Sequence, residues 1–308
     1  MQTRHVYFGG FQHELGEKHP VEALPQLREQ PELRAHILNG GFRHYRKSAH
    51  GPAELAYRCV RKLLDARPEL RDGIDLVIYA TLTLKDPDCY NGLLGEALVR
   101  LGLEKVNVTG VFSSECGNMV AALQLAQGMI ESGKARQVLV IATDTCLDEG
   151  QRVIDGNVVV SDGAACFVVN TDPDNDFRLL DSLQRSDQRL RMEASAAYSP
   201  KFLKLSTDAM KECVETLLRS RAIAREKIDV FLTGNFARSA LAMFSYVAGV
   251  KREVHFCPDV ADVAHAYACD ISLNLERLLA EQRLMPGNLV LCLATGKSNW
   301  FTSAFVKT

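Results

Sequence analysis

The sequence predicts an α/β protein in which a β-α-β-α-β unit occurs twice. Three observations carry this. Ile74 to Leu82 and Gln137 to Thr143 read as strands almost free of polar residues, as a sheet covered on both faces requires. Intervening segments have helical spacing: Pro52 to Leu70 carries apolar residues at 55, 56, 59, 60, 63 and 64. The pattern then recurs. Arg71-Asp72-Gly73-Ile74-Asp75-Leu76 returns 154 positions later as Arg225-Glu226-Lys227-Ile228-Asp229-Val230, and Val138 to Asp144 returns 152 positions later as Val290 to Gly296. Two segments sharing nearly one offset, about half the chain, indicate a duplication. Apolar strands in a duplicated unit predict two sheets stacked through shared buried helices.

In chain order, Val6 to Gly10 is the first strand. Phe11 to Gly41 is polar and broken, with two short helical pieces and a turn at Gly40-Gly41-Phe42-Arg43. The Pro52 helix and the Ile74 strand follow, then a loop at Asp86-Pro87-Asp88 and a helix from Gly92 to Leu101. Val106 to Phe112 alternates like a strand entering a core. Val158 to Asn170 holds Ser161-Asp162-Gly163 as a tight turn between two strands. Asp172-Pro173-Asp174-Asn175-Asp176 is the most loop-like stretch, and it divides the chain into halves 1–171 and 172–308. Thr207 to Ser220 is the amphipathic helix that opens the second repeat.

Composition narrows the function. A net charge of −2, with no basic stripe interleaved with aromatics, argues against a nucleic-acid partner. No apolar run has membrane-spanning length, and Met1 to His5 does not begin a signal peptide. Nine cysteines, mostly inside apolar runs, suit a reducing cytoplasm better than a disulfide framework. None has zinc spacing, so no metal and no cofactor is expected.

The candidate chemistry lies at Ser113-Ser114-Glu115-Cys116-Gly117-Asn118. From Met119 the apolar positions 119, 120, 122, 123, 125, 126, 129 and 130 form a helix apolar on most faces, and Gly133 stops it. Cys116 therefore sits between a strand end and a helix N-terminus, where orphan N–H groups and the helix dipole favour a thiolate. Such a thiolate is a nucleophile for acyl groups. The duplication carries Cys116 to about residue 268, in Ala264-His265-Ala266-Tyr267-Ala268-Cys269, so the second half places His265 where the first places its nucleophile.

The Cys116 helix, Ser161-Asp162-Gly163-Ala164-Ala165 and Pro286-Gly287-Asn288-Leu289-Val290-Leu291 together resemble the thiolase superfamily, and most closely its β-ketoacyl-acyl carrier protein synthase III branch. The resemblance runs from Gly41 to Lys307. It implies a thiolase-like duplicated five-layer α-β-α-β-α sandwich, a homodimer, and a cysteine that takes an acyl group from an acyl carrier protein or coenzyme A thioester and passes it to a small acceptor. Cys116 matches the acylated cysteine. The branch's Pro-His-Gln-Ala-Asn-like stretch reads Thr233-Gly234-Asn235-Phe236-Ala237-Arg238, which matches Asn235, and its Gly-Asn-Thr-Ser-like stretch reads Ala264-His265-Ala266-Tyr267, which matches His265. The two partners are exchanged, in an order similar to that of degradative thiolases. The spacing between them, 30 residues, agrees with the family's.

The same resemblance implies an oxyanion site from the Cys116 N–H and an N–H of Gly296-Lys297-Ser298. It also implies substrate contacts at Cys89, Tyr90 and Arg43. Ala194 to Phe202 is placed at the pocket by family position, and Cys292 in the last strand is open as either a second thiol or a core residue. Glu115 replaces a small residue of the branch, and alternation turns it away from Cys116, toward a dimer partner. Coenzyme A contacts of the branch fall on Ala35 and Asn39 here, which points to a specialised acyltransferase of secondary metabolism. Decarboxylative condensation with malonyl thioester and a non-catalytic subunit of a thiolase-fold complex are the alternatives.

Overall fold

The computed structural model describes residues 4–82, 87–192 and 199–308, with the side chains of 87–91 and 191–192 outside that description. The chain runs through β1 (Val6–Leu15), β2 (Glu17–Pro20), α1 (Pro25–Glu29), α2 (Pro31–Asn39), β3 (His44–Lys47), α3 (Pro52–Ala66) and β4 (Leu76–Ala80). Next come α4 (Pro87–Arg100), β5 (Asn107–Val111), α5 (Asn118–Glu131), β6 (Val138–Asp144), the small pair β7 (Val153–Ile154) and β8 (Val158–Val159), and β9 (Gly163–Asn170). The rest comprises β10 (Phe177–Ser186), α6 (Arg189–Met192), α7 (Pro200–Ser220), β11 (Val230–Thr233), α8 (Arg238–Ala248), β12 (His255–Phe256), α9 (Asp270–Ala280), β13 (Leu289–Thr295) and β14 (Asn299–Lys307).

Strand order repeats. The first set lies β5-β4-β6-β9-β1 and the second β12-β11-β13-β14-β10. In each, three strands are parallel and the last two antiparallel. Two separate sheets were expected. Instead β1 pairs with β10 over Val6↔Leu179, Tyr7↔Arg178 and Phe8↔Phe177, which joins the sets into one ten-stranded sheet. At this seam Phe305 packs edge-on against both Phe8 and Phe177, which are tilted 31° to each other, with centroids 5.1–5.5 Å apart.

Side-chain alternation builds the layers. Ile78, Ala80, Val140 and Ala142 face a core shared with Leu232, Cys292 and Ala294 of the second set, and Val120, Leu123, Leu273 and Leu275 of α5 and α9 fill it. Val77, Tyr79, Leu139 and Ile141 face the other way, onto Leu55, Cys59 and Leu63 of α3. Phe231, Leu291 and Leu293 face outward onto Met210, Cys213 and Leu217 of α7. The result is helix, sheet, central helix pair, sheet, helix. Among the described residues no helix is long and apolar enough to cross a membrane.

Several boundaries differ from the sequence reading for local reasons. The first strand continues past Gly10 to Leu15 through a register shift at Gly9/Gln12, where the Gly10 N–H donates to Asp176 at 2.9 Å. α3 stops at Ala66 because Pro68 begins a 3-10 turn. α4 starts at Pro87, where a loop was expected, and α7 starts at Pro200 with the Ser199 hydroxyl accepting the Phe202 N–H at 3.1 Å. β5 does not enter the core: it is the last strand of the sheet and largely exposed.

Ser161 and Asp162 form a knot rather than a simple turn. Asp162 accepts the Cys146 N–H at 2.7 Å and the Ser48 N–H at 2.8 Å, and Arg152 grips both its oxygens at 2.9 and 3.1 Å. Both side chains are buried, and the Arg152 guanidinium also binds Glu149 at 2.7 Å. Removing one partner of a buried pair strands the other charge. Arg152→Met is expected to lower unfolding stability by about 3–5 kcal/mol, read from chemical denaturation. Arg152→Met combined with Asp162→Asn is expected to lose less than the two single changes added together.

Candidate active site

Beyond β5 the chain makes a 3-10 turn, Glu115–Gly117, that leads into α5. Asn118 fixes the turn from inside. Its Oδ1 accepts the Ser114 N–H at 2.9 Å, and its Nδ2 donates to the Thr81 carbonyl at 2.9 Å, tying the turn to the end of β4. Gly117 is required for close packing, since a Cβ there would lie 2.5 Å from the Phe301 ring. Cys116 is thus held in the turn at the N-terminal end of a buried helix of 14 residues.

The second half repeats this arrangement 152 positions later. A 3-10 turn, Tyr267–Cys269, leads into α9, and its first residue shares the left-handed backbone of Glu115, with φ of 52° against 56°. The counterpart of Asn118 is Asp270. Its Oδ1 accepts the Ala266 N–H at 2.7 Å, as Asn118 accepts that of Ser114. Its Oδ2 accepts the Asn235 N–H at 2.6 Å and lies 2.5 Å from His265 Nδ1. The His265 backbone is fixed separately: its N–H donates to Val159 and its carbonyl accepts the Ser161 N–H, both at 2.9 Å. His265 Nε2 lies 3.1 Å from Cys116 Sγ.

The result is a chain of three groups, Cys116, His265 and Asp270. Burial pushes the His265 imidazole down. The Asp270 carboxylate and the Cys116 sulfur outweigh that, and its pKa is held well above the ordinary histidine value. The fixed Nδ1 contact also leaves Nε2 aimed at the sulfur.

Cys116 and His265 stand in the wall of a cavity of about 650 Å³. Its lining is mostly apolar. Ile154 and Val158 come from the first half, Phe202, Leu203 and Met210 from α7, and Phe236, Met243, Phe244 and Trp300 from the rest of the second half. The Phe236 ring lies 4.7 Å from that of His265. The polar lining residues include Lys297, which pairs with Asp155 at 3.2 Å.

Other expected site residues fall elsewhere. Asn235 is fully buried and does not line the cavity. Its Oδ1 accepts from Asn274 Nδ2 and from the Cys257 thiol, each at 3.1 Å, and Phe236 takes the wall position. Burial raises the Cys257 pKa and keeps it a thiol donor. Arg43 holds its own loop through the Leu38 and Phe42 carbonyls at 2.5 and 2.8 Å and is not at the cavity. The side chains of Cys89 and Tyr90, and residues 194–198, lie outside the described residues. Ser298 is buried behind the wall, its carbonyl accepting the Asp187 N–H at 2.9 Å.

Lys297 does line the cavity, but its backbone N–H donates to the Glu115 carboxylate. Glu115 itself lines the cavity beside Cys116, contrary to the alternation argument, because the 3-10 turn breaks the strand period. Cys292 faces the central core with Val290 and Ala294, and burial pushes its thiol up to about 12. Phe202, the end of the stretch expected at the pocket, does line it, whereas Asp270, Phe236, Leu203 and Met210 were missed. For Asp270 a signal existed: it occupies the position of Asn118 under the 152-residue repeat.

Comparison with known proteins agrees with this fold. Residues 112–188 match the family model of 3-oxoacyl-[acyl-carrier-protein] synthase III. The chain is similar to β-ketoacyl-[acyl-carrier-protein] synthase III 1 of Deinococcus radiodurans, 34% identical over 142 residues, a match spanning 43% of this chain and only 39% of that protein. It is also similar to the β-ketoacyl-[acyl-carrier-protein] synthase III of Campylobacter jejuni, 22% identical over 280 residues, covering 83% of this chain and 82% of the relative. The acyltransferase ChlB3 superposes with a TM-score of 0.84 at 18% identity, covering 98% of this chain and 97% of that one. Sequence motifs, layered fold and relatives converge: the chain has a thiolase-like fold and is similar to β-ketoacyl-acyl carrier protein synthase III proteins.

Proposed function

We propose that this protein is an acyltransferase working through an acyl-Cys116 thioester. The observation that carries the reading is the Cys116–His265–Asp270 chain, with contacts of 3.1 and 2.5 Å, opening into an apolar cavity. A thiolate paired with an imidazolium attacks the carbonyl of the donor thioester, and the tetrahedral adduct expels the donor thiolate, which takes the proton from His265 Nε2. Neutral His265 then removes a proton from the acceptor as it attacks the acyl carbonyl. The departing Cys116 thiolate and the protonated ring restore the starting pair. Asp270 stabilises the imidazolium and holds its orientation, as a buried carboxylate does in hydrolase triads. The cavity suits an apolar acyl group.

The halves 1–171 and 172–308 divide this work, the first supplying the nucleophile and the second the base. The donor is a carrier-protein or coenzyme A thioester, the acceptor a small molecule, and the compartment the cytoplasm. A homodimer fits the same reading. β5 ends the sheet with no described strand on its outer side, and Val108 and Phe112 are 47% and 60% exposed there. Asn235 lies off the cavity, which weighs against malonyl decarboxylation, a reaction that uses two hydrogen-bonding partners. One contact favours a different reading, a non-catalytic subunit: the Glu115 carboxylate occupies the Lys297 N–H.

Three outcomes test this. Intact-mass spectrometry after incubation with a panel of acyl thioesters should show one acyl adduct on the wild type and none on Cys116→Ala; an adduct that survives the substitution ends the proposal. Asp270→Asn removes the charge that raises the His265 pKa, so the imidazolium should lose its proton at lower pH than in the wild type. Nitrogen-15 shifts of the ring would report this, alongside a fall of about 10²–10⁴-fold in acylation rate at pH 7. Phe112→Glu should convert a dimer to monomers in sedimentation velocity, and an unchanged profile would place the interface elsewhere.

A further inference from the structure

The turn that should supply an oxyanion donor already holds a ligand from the chain itself. The Glu115 carboxylate accepts the Lys297 N–H, and the same side chain lies against Gly296, where an added Cβ would collide with it. Glu115 directly precedes the nucleophile, and both Glu115 and Lys297 line the cavity. The Gly296 N–H of the same turn is committed elsewhere, donating to the Asn299 carbonyl at 2.7 Å. The left-handed backbone of Glu115 does not arise from this contact. Tyr267, its counterpart under the repeat, has the same conformation with a phenol side chain. The conformation therefore belongs to the turn, while the carboxylate is a substituent able to swing about its own side-chain bonds.

We infer that Glu115 is an internal occupant of the oxyanion site, and that the thioester carbonyl must displace it before Cys116 can be acylated. The inference rests on the acyl-Cys116 reading. A backbone N–H donates one strong hydrogen bond. A carboxylate on it excludes the developing oxyanion and repels its charge, whereas a free N–H stabilises that charge. With the side chain turned away, the Lys297 N–H is released to serve beside the Cys116 N–H as the donor pair that the family resemblance implies, and the attack, proton transfer and departure described above proceed unchanged. The contact that suggests a non-catalytic subunit is on this account a closed resting state of a working site.

The test compares the wild type with Glu115→Ala and Glu115→Gln, using octanoyl-coenzyme A at a concentration below saturation and intact-mass spectrometry to follow the adduct. The expected result is acylation faster by about tenfold or more in Glu115→Ala, with a smaller gain in Glu115→Gln, whose neutral amide oxygen competes more weakly. The Lys297 amide proton resonance should also move upfield once its charged acceptor is gone. If the wild type acylates and neither variant is faster, the inference is overturned and the acyl-enzyme reading stands. If no protein forms an adduct with any donor, both fall. Glu115→Gln covers the case in which Glu115→Ala does not fold, because it keeps the side-chain shape.

Discussion

The bond between Asp270 and His265 is the constraint on which the site depends. It lies at the start of α9, where the carboxylate is held by two backbone N–H groups before it meets the imidazole. Those two donors fix the carboxylate in a buried place, and the carboxylate beside the ring raises the His265 pKa against the cost of burial. The ring in turn stands 3.1 Å from the sulfur at the start of α5. Each helix start supplies one side of that contact. The central layer brings them together because α5 and α9 fill one core between the two strand sets.

This arrangement is a duplicated device with one altered atom type. In the first half the side chain at the helix start is a carboxamide, which accepts from one backbone group and donates to another. In the second half it is a carboxylate, which can only accept. The second oxygen therefore takes donors instead, the Asn235 N–H and the His265 ring. The first half gains a rigid seat for a thiol, the second a polarised base. The Arg152–Asp162 knot completes the frame by anchoring the segment whose backbone binds that of His265.

Much of this was legible in the residues. The apolar strands, the 152–154 offsets, the buried helix behind Cys116 and the pairing of Cys116 with His265 all follow from periodicity and repeat, because layer architecture is set by which side chains alternate. Asn235 was misplaced because a match in sequence position fixes the backbone and not the side chain. Its amide oxygen turns to Asn274 and Cys257, and Phe236, one residue on, takes the wall. Glu115 was misplaced because a strand period was carried into a 3-10 turn. The cavity was out of reach because its wall joins residues from α7, α8 and β14 that no local pattern links.

Two of the residues in that wall, Met210 and Met243, carry unbranched thioether side chains. Such chains have more rotatable bonds than leucine or isoleucine and a polarisable sulfur that contacts aliphatic and aromatic groups alike. A compartment bounded by them re-forms around its contents instead of moulding one shape. On the proposed acyl-transfer reading, such a wall tolerates varied hydrocarbon outlines, while the Cys116–His265 pair stays fixed to two rigid helix starts.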